Sequence, residues 1–358
     1  MSTSELTVTS AHPVDQIEET KNKIEAVYQA STKLPIQKAS VISARPVEKI
    51  REFNAEPEAI YLDGVKSKYA FATLLAGDDE DRSYEDDVYL QSTRILTYQL
   101  LHANETRSRD HNIPFIVLVT NKTREAGRER LRRDGATVIE VPALTAPWIK
   151  PMIGRWDNVL TKLRLWELLD FERIAFLDAD SMIVHPLDHI FNDPAVEEQT
   201  TLMEEFKGPG DKNMLPTTYA YGGNNDNLRM TREGEEPMTL DGSMCAGFFV
   251  MKPDVQMLRY YVSVLAQPES YDSALPEQSL FNAVHAWNGS LPWKQVDRAT
   301  NAFSPEIYDV KAGVKSIHEK FWYDGLDPEL RSWMAVQKGR MEGFFEARDS
   351  AKAGDLTL

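Results

Sequence analysis

The sequence predicts an α/β fold with a mostly parallel central sheet flanked by helices. Two observations carry this. Apolar, β-branched runs alternate with amphipathic or charged stretches between residues 69 and 177, the order that builds a parallel sheet covered by helices on both faces. The chain is also long enough, at 358 residues with 42% hydrophobic residues, to bury a core and still shape a cleft.

The elements follow in order. Residues 1–65 are polar and mixed and read as an N-terminal extension, partly disordered. Tyr69 to Ala76 (YAFATLLA) is a buried strand, and Gly77 to Asp87 is an acidic loop. Val88 to His102 reads as a helix, with Val88, Ile95, Leu96, Leu100 and Leu101 as its apolar residues. Pro114 to Thr120 is a second strand, rich in β-branched residues. Arg124 to Asp134 is a charged helix stopped near Gly135, and Thr137 to Val141 is the third strand. Trp156 to Leu169 reads as an amphipathic helix with Val159, Leu160, Leu163 and Trp166 on one stripe. Arg173 to Leu177 is the fourth strand. Residues 194–243 read as an insertion. Gly247 to Met251 is a further strand, and Pro253 and Pro276 each open a helix. Residues 290–324 are loop-rich, and the tail from Asp327 reads as a docked helix. The expected division is an extension over 1–65, a catalytic domain over 66–325 and a C-terminal helix or tail over 326–358.

Composition narrows the function. The formal charge is −16, from 40 Lys+Arg against 56 Asp+Glu. So acidic a chain argues against nucleic acid or an anionic membrane as partner. One cysteine, Cys245, rules out an intrachain disulfide and a multi-cysteine zinc site. The first residues lack a basic stretch followed by an apolar one, and no window approaches a membrane span. The expected compartment is therefore cytoplasmic, although a lumenal domain cut from its anchor would read the same way.

The sharpest chemical signal is Asp178-Ala179-Asp180, directly after Ile174-Ala175-Phe176-Leu177. Residues two apart in extended chain point the same way. Two carboxylates would converge at a strand end and repel unless a cation sits between them. A hard divalent ion with oxygen ligands suits that place. Asp79-Glu80-Asp81 has the same spacing but lies in a polar loop, where it reads as solvated charge. Ligands of open parallel sheets bind at the carboxyl ends of the strands, which is where the Asp178 pair falls. Haloacid-dehalogenase-type phosphatases also end an apolar strand in alternate aspartates. They place that strand early and follow a later strand with another acidic pair, whereas three strands come first here and Gly247 to Met251 ends in Lys252-Pro253.

The run of motifs resembles glycosyltransferase family 8. Tyr69 to Leu75 followed by Tyr84 is similar to the family's first strand and nucleotide loop. Leu160-Thr161-Lys162-Leu163 with Trp166 resembles T-K-L-x-x-W, and Phe176 to Asp180 resembles F-x-D-A-D. Ala246 to Val250 with Pro253, Glu277 to Asn282, and His318 with Lys320 and Trp322 resemble the later motifs in the family's order. The likeness spans about residues 69–323. It implies a nucleotide-diphospho-sugar transferase (GT-A-like) fold and retaining, metal-dependent transfer of a hexose from a UDP-sugar. By resemblance Asp178, Asp180 and His318 would hold Mn²⁺, with Mg²⁺ as the alternative. Lys162 would contact the sugar or phosphates, and Lys320 the diphosphate. Leu75 and Tyr84, or Tyr89 in its place, would line the nucleotide site, with the tyrosine stacked on uracil. Gln278 and Glu277 would stand at the β-face of the donor sugar.

Three departures accompany the likeness. The family's Asn before the small-Gly pair is Cys245, for which Asp241 is the candidate replacement. The Asp before Gln278 is Glu277. The closing motif lacks its Gly and its Lys-Pro-Trp order. The acceptor (glycan, polyol, protein or small molecule) and the sugar are left open, and a homodimer is possible. A self-glucosylating initiator and a weakly active UDP-sugar binder remain the alternatives.

Overall fold

The computed structural model describes residues 57–77, 83, 86–204, 206–226, 230–232, 235–236 and 239–353. Most of the 1–65 extension, and Tyr84, lie outside the described residues. Twelve strands are described: β1 Tyr69–Leu75, β2 Phe115–Val119, β3 Thr137–Glu140, β4 Arg173–Leu177, β5 Ser181–Ile183, β6 Gln199–Thr200, β7 Thr218–Tyr219, β8 Tyr221–Asn225, β9 Met244–Met251, β10 Lys294–Gln295, β11 Asn301–Phe303 and β12 Ser316–His318. Six α-helices accompany them: α1 Val88–Leu101, α2 Glu125–Asp134, α3 Val255–Leu265, α4 Pro276–Val284, α5 Ile307–Lys311 and α6 Pro328–Ala353.

The central sheet has seven strands in the order β10-β8-β9-β4-β1-β2-β3. β3, β2, β1 and β4 run parallel, as the alternation in sequence predicts. β9 runs antiparallel to both β4 and β8, so its amino end reaches the same edge as the carboxyl end of β4. Leu177 stands opposite Phe248 there. A small second sheet, β11-β12-β5, covers that edge. Its antiparallel β12–β5 register sets His318 opposite Ser181. The architecture is the α/β, mostly parallel arrangement read from the sequence.

Both faces of the sheet are buried, which explains the unbroken apolar strands. One face packs Trp166, Tyr221, Phe249, Tyr261 and Phe281 with α3 and α4. The other packs Phe71, Phe115, Leu96 and Phe191 with α1 and the 3₁₀ turns after β5. Helix α6 closes a third cluster through Leu330, Met334, Met341 and Phe345.

Two elements depart from expectation. Tyr221–Asn225 is a fully buried strand of the central sheet and not part of an insertion. Its sequence, YGGNN, has low β propensity. Close approach selects the glycines instead: a Cβ at Gly223 would lie 2.7 Å from Met244 Sδ, and one at Gly222 would lie 3.1 Å from the Ala195 carbonyl. Residues Gly154–Glu167 wind as a 3₁₀ helix, not an α-helix. Leu160, Leu163 and Trp166 recur every three residues, and a three-residue turn aligns such a stripe. The neighbouring stripe, Lys162 and Leu165, is buried by the same winding.

Candidate active site

The chemistry gathers where β4, β9 and β12 end together. After Leu177 the chain leaves β4, and the Asp178 amide donates to the Gly247 carbonyl at 2.8 Å. A turn then returns the Ser181 amide to the Asp178 carbonyl at 2.9 Å, and the Glu319 amide reaches the Asp180 carbonyl at 3.2 Å. These bonds fix both aspartates against β12. His318 Nε2 lies 3.0 Å from Asp180 Oδ1 and 3.7 Å from Asp178 Oδ2. One ligand atom from each of the three residues falls within 4.8 Å of the other two. Glycine at 247 is what leaves room for this. A Cβ there would stand 2.2 Å from His318 Nδ1 and Cε1, and 3.2 Å from Asp178 Oδ2. Two carboxylates and one imidazole at this spacing suit a divalent cation with mixed oxygen and nitrogen ligands.

Two lysines balance the carboxylates. Lys320 Nζ lies 2.9 Å from Asp180 Oδ2 and keeps about a third of its side chain exposed. Lys162 is buried, with Nζ 2.8 Å from Asp178 Oδ1, 2.9 Å from Glu277 Oε1 and 3.5 Å from the Ala246 carbonyl. Phe176 lies under it, 4.9 Å from Nζ to the ring centroid. Burial works against each charge, and the partners outweigh it. Asp178 and Glu277 hold the Lys162 ammonium raised, and Asp180 does the same for Lys320. Lys320 and His318 hold Asp180 well below the usual carboxylate range, and Asp180 holds His318 well above the usual imidazole value.

The Lys162 ammonium faces Asp178, Glu277 and the Ala246 carbonyl, and so joins the two carboxylates. Gln278 is also held at both ends: Oε1 accepts from the Ala246 amide at 3.1 Å, and Nε2 donates to Asp226 Oδ2 at 2.9 Å. The Ala246 donor settles which end of the amide is which. Glu277 and Gln278 sit in the first turn of α4, and Pro276 opens that helix.

Leu75 and Asp241 are both engaged within the chain. The Leu75 side chain belongs to the core, and its carbonyl accepts from the Thr123 hydroxyl at 2.8 Å. Asp241 Oδ1 accepts from the Ser243 amide, the Ser243 hydroxyl and Asn225 Nδ2 at 2.6–2.9 Å. That pattern staples the turn into β9. Tyr89 lies in the first turn of α1, edge-on to Trp322 at 4.9 Å.

Asp226 is the residue that the sequence reading missed as a site group. Burial raises its carboxyl, and Gln278 and Cys245 are hydrogen-bond partners that work against that rise. Its signal was its place directly after the glycine-rich strand β8, which the insertion reading hid.

No protein-family model matches the chain. An uncharacterised protein of Schizosaccharomyces pombe is 26% identical over 292 residues, covering 73% of this chain and 77% of that protein. Galactinol synthase 1 of Solanum lycopersicum is 29% identical over 133 residues, covering 36% of this chain and 37% of the synthase. Among solved structures, the galactosyltransferase LgtC in complex with donor and acceptor sugar analogues is similar at a TM-score of 0.44 and 14% identity, covering 75% of this chain and 95% of that one. By sequence the chain is related to the glycosyltransferases of family 8, as its run of motifs implies.

Proposed function

We propose that the chain transfers a hexose from a UDP-sugar to an acceptor with retention of anomeric configuration. The observation that carries this is the convergence of Asp178, Asp180 and His318 within 4.8 Å, with Lys320 2.9 Å from Asp180. These three residues would hold Mn²⁺, or Mg²⁺ in its place. When bound, the ion supplies Lewis acidity and neutralises charge developing on the leaving diphosphate.

The chain's own groups do the rest. Lys320 keeps about a third of its side chain exposed, so it would meet the diphosphate by turning from Asp180. Lys162 and Lys320 offset the site's carboxylates, so a bound divalent cation would make the site attractive to an anion in an otherwise acidic protein. Lys162 holds Asp178 and Glu277 in place. Gln278 Oε1 retains one lone pair after accepting from Ala246, and that lone pair supports cationic character at the anomeric carbon. Asp226 fixes the amide so that its oxygen cannot swing away.

A second reading, a UDP-sugar binder with little turnover, is favoured by one observation: Gln278 is tied at both ends and Glu277 is engaged by Lys162. The same experiment separates them. UDP-sugars differing in the hexose are incubated with the protein and Mn²⁺, and released UDP is measured. Release from one donor, abolished by chelator, supports the transferase. Donor binding without release supports the binder. No binding of any donor contradicts both.

A further inference from the structure

The imidazole of His318 is held from the side away from the aspartates by a thiol. Cys245 Sγ lies 3.9 Å from Nδ1, while Nε2 faces Asp180 and Asp178. Both Cys245 and His318 are buried. Gly247 presses on the Nδ1–Cε1 edge, and the Phe303 ring stands 5.4 Å from the imidazole centroid. The ring therefore has one orientation, with one nitrogen on sulfur and the other on the carboxylates.

A histidine ligand needs a free lone pair on the nitrogen that meets the ion. Its other nitrogen must then carry the proton and give it to an acceptor. Among the described residues, the hydrogen-bond partner of Nδ1 is Cys245 Sγ. From this geometry we infer that Cys245 is a positioning residue for the metal site, accepting the Nδ1 proton of His318 so that, when an ion displaces the proton between Nε2 and Asp180, the Nε2 lone pair is free to meet it. The inference rests on the metal reading of the three residues and adds the group that sets their tautomer. Sulfur is a weak acceptor, so the ring is held more loosely than by a carboxylate or carbonyl. Cys245 itself would stay outside the ligand set, because its sulfur meets Nδ1 while the aspartates meet Nε2.

Co²⁺ titration of the full chain, followed by visible absorption, tests this without reference to turnover. The wild type is expected to bind Co²⁺ with ligand-field bands and no thiolate-to-cobalt charge-transfer band. Cys245→Ala removes the acceptor and is expected to weaken binding by about tenfold, the lower end of the effect of removing an outer-shell partner. Cys245→Ser restores an acceptor and is expected to recover most of that loss, with circular dichroism and melting confirming that both variants fold. A charge-transfer band in the wild type would make Cys245 a direct ligand and overturn the inference. Equal affinity in wild type and Cys245→Ala would also overturn it. No Co²⁺ binding by the wild type would instead remove the metal reading on which it rests.

Discussion

Lys162 Nζ and Asp178 Oδ1 meet at 2.8 Å, joining the 3₁₀ helix Gly154–Glu167 to the end of β4. The pair is buried on the lysine side, and Glu277 closes it from α4 at 2.9 Å. Removing one partner of a buried ion pair leaves the other charge uncompensated. Lys162→Met keeps the volume and removes the charge. Chemical denaturation should show a loss of about 3 kcal/mol, the low end of the range because Asp178 is partly exposed. An unchanged unfolding midpoint would mean that solvent, not Lys162, balances the two carboxylates.

The buried His285 makes the fold acid-sensitive. Its Nδ1 donates to the Leu291 carbonyl at 2.7 Å, Tyr261 donates its hydroxyl to Nε2 at 2.6 Å, and Tyr221 stacks on the ring at 3.9 Å. Burial lowers the imidazole to about 3. The unfolded chain then takes up a proton near pH 6.5 that the folded chain refuses. Stability from this group is complete above about pH 6.5 and falls by about 1.4 kcal/mol per unit as pH drops toward 3. His285→Gln removes the titration. The stability difference between wild type and variant should shrink as urea midpoints are compared from pH 7 down to pH 4; a difference constant with pH would contradict the assignment.

Asp134 ties α6 to the body of the protein. It is fully buried and accepts from Arg94 on α1, Arg130 on α2 and Arg348 on α6 at 2.5–3.1 Å. The three guanidiniums surround Phe345 at 4.6–5.4 Å from its ring centroid. Asp134→Ala leaves Asp349, which pairs Arg130 and Arg348 at 2.7–2.8 Å, to balance the cluster, and should cost about 3 kcal/mol, the low end for breaking a buried pair. Limited proteolysis should then cut within 328–353 before the rest of the chain. Cleavage at the wild-type rate would show that Leu330, Met334 and Met341 hold the helix without the clasp.

Gly247→Ala tests the room that the site needs. The added methyl would stand 2.2 Å from the His318 ring, so either β9 or the imidazole must move. Overpacking of this kind costs about 1–3 kcal/mol. Mn²⁺ binding should be lost while circular dichroism stays that of the wild type. Metal binding unchanged by the methyl would place the ion away from His318.

Much of this was legible from spacing alone. β1 to β4 declare themselves because a strand buried on both faces is unbrokenly apolar, and Asp178 and Asp180 stand out because that run ends in two charges. β8 was not legible: Gly222 and Gly223 are chosen by the closeness of Met244 and Ala195, and nothing local reports a neighbour that arrives from elsewhere in the chain. Asp226 was hidden with it. Lys162 was visible as a residue but its partners were not, since the two acids it pairs with lie 16 and 115 positions away. Asp241 was visible as a candidate, while its bonds to Ser243 are local turn chemistry that the motif comparison did not read.

The central claim is that a divalent cation and a uridine nucleotide meet at Asp178, Asp180 and His318. Calorimetric titration of UDP into the wild type and into Asp180→Asn, each with Mn²⁺ and with chelator, tests it most directly. The account predicts binding by the wild type that depends on Mn²⁺, and none by a folded Asp180→Asn variant. Binding that survives the chelator, or equal binding by the variant, would contradict it.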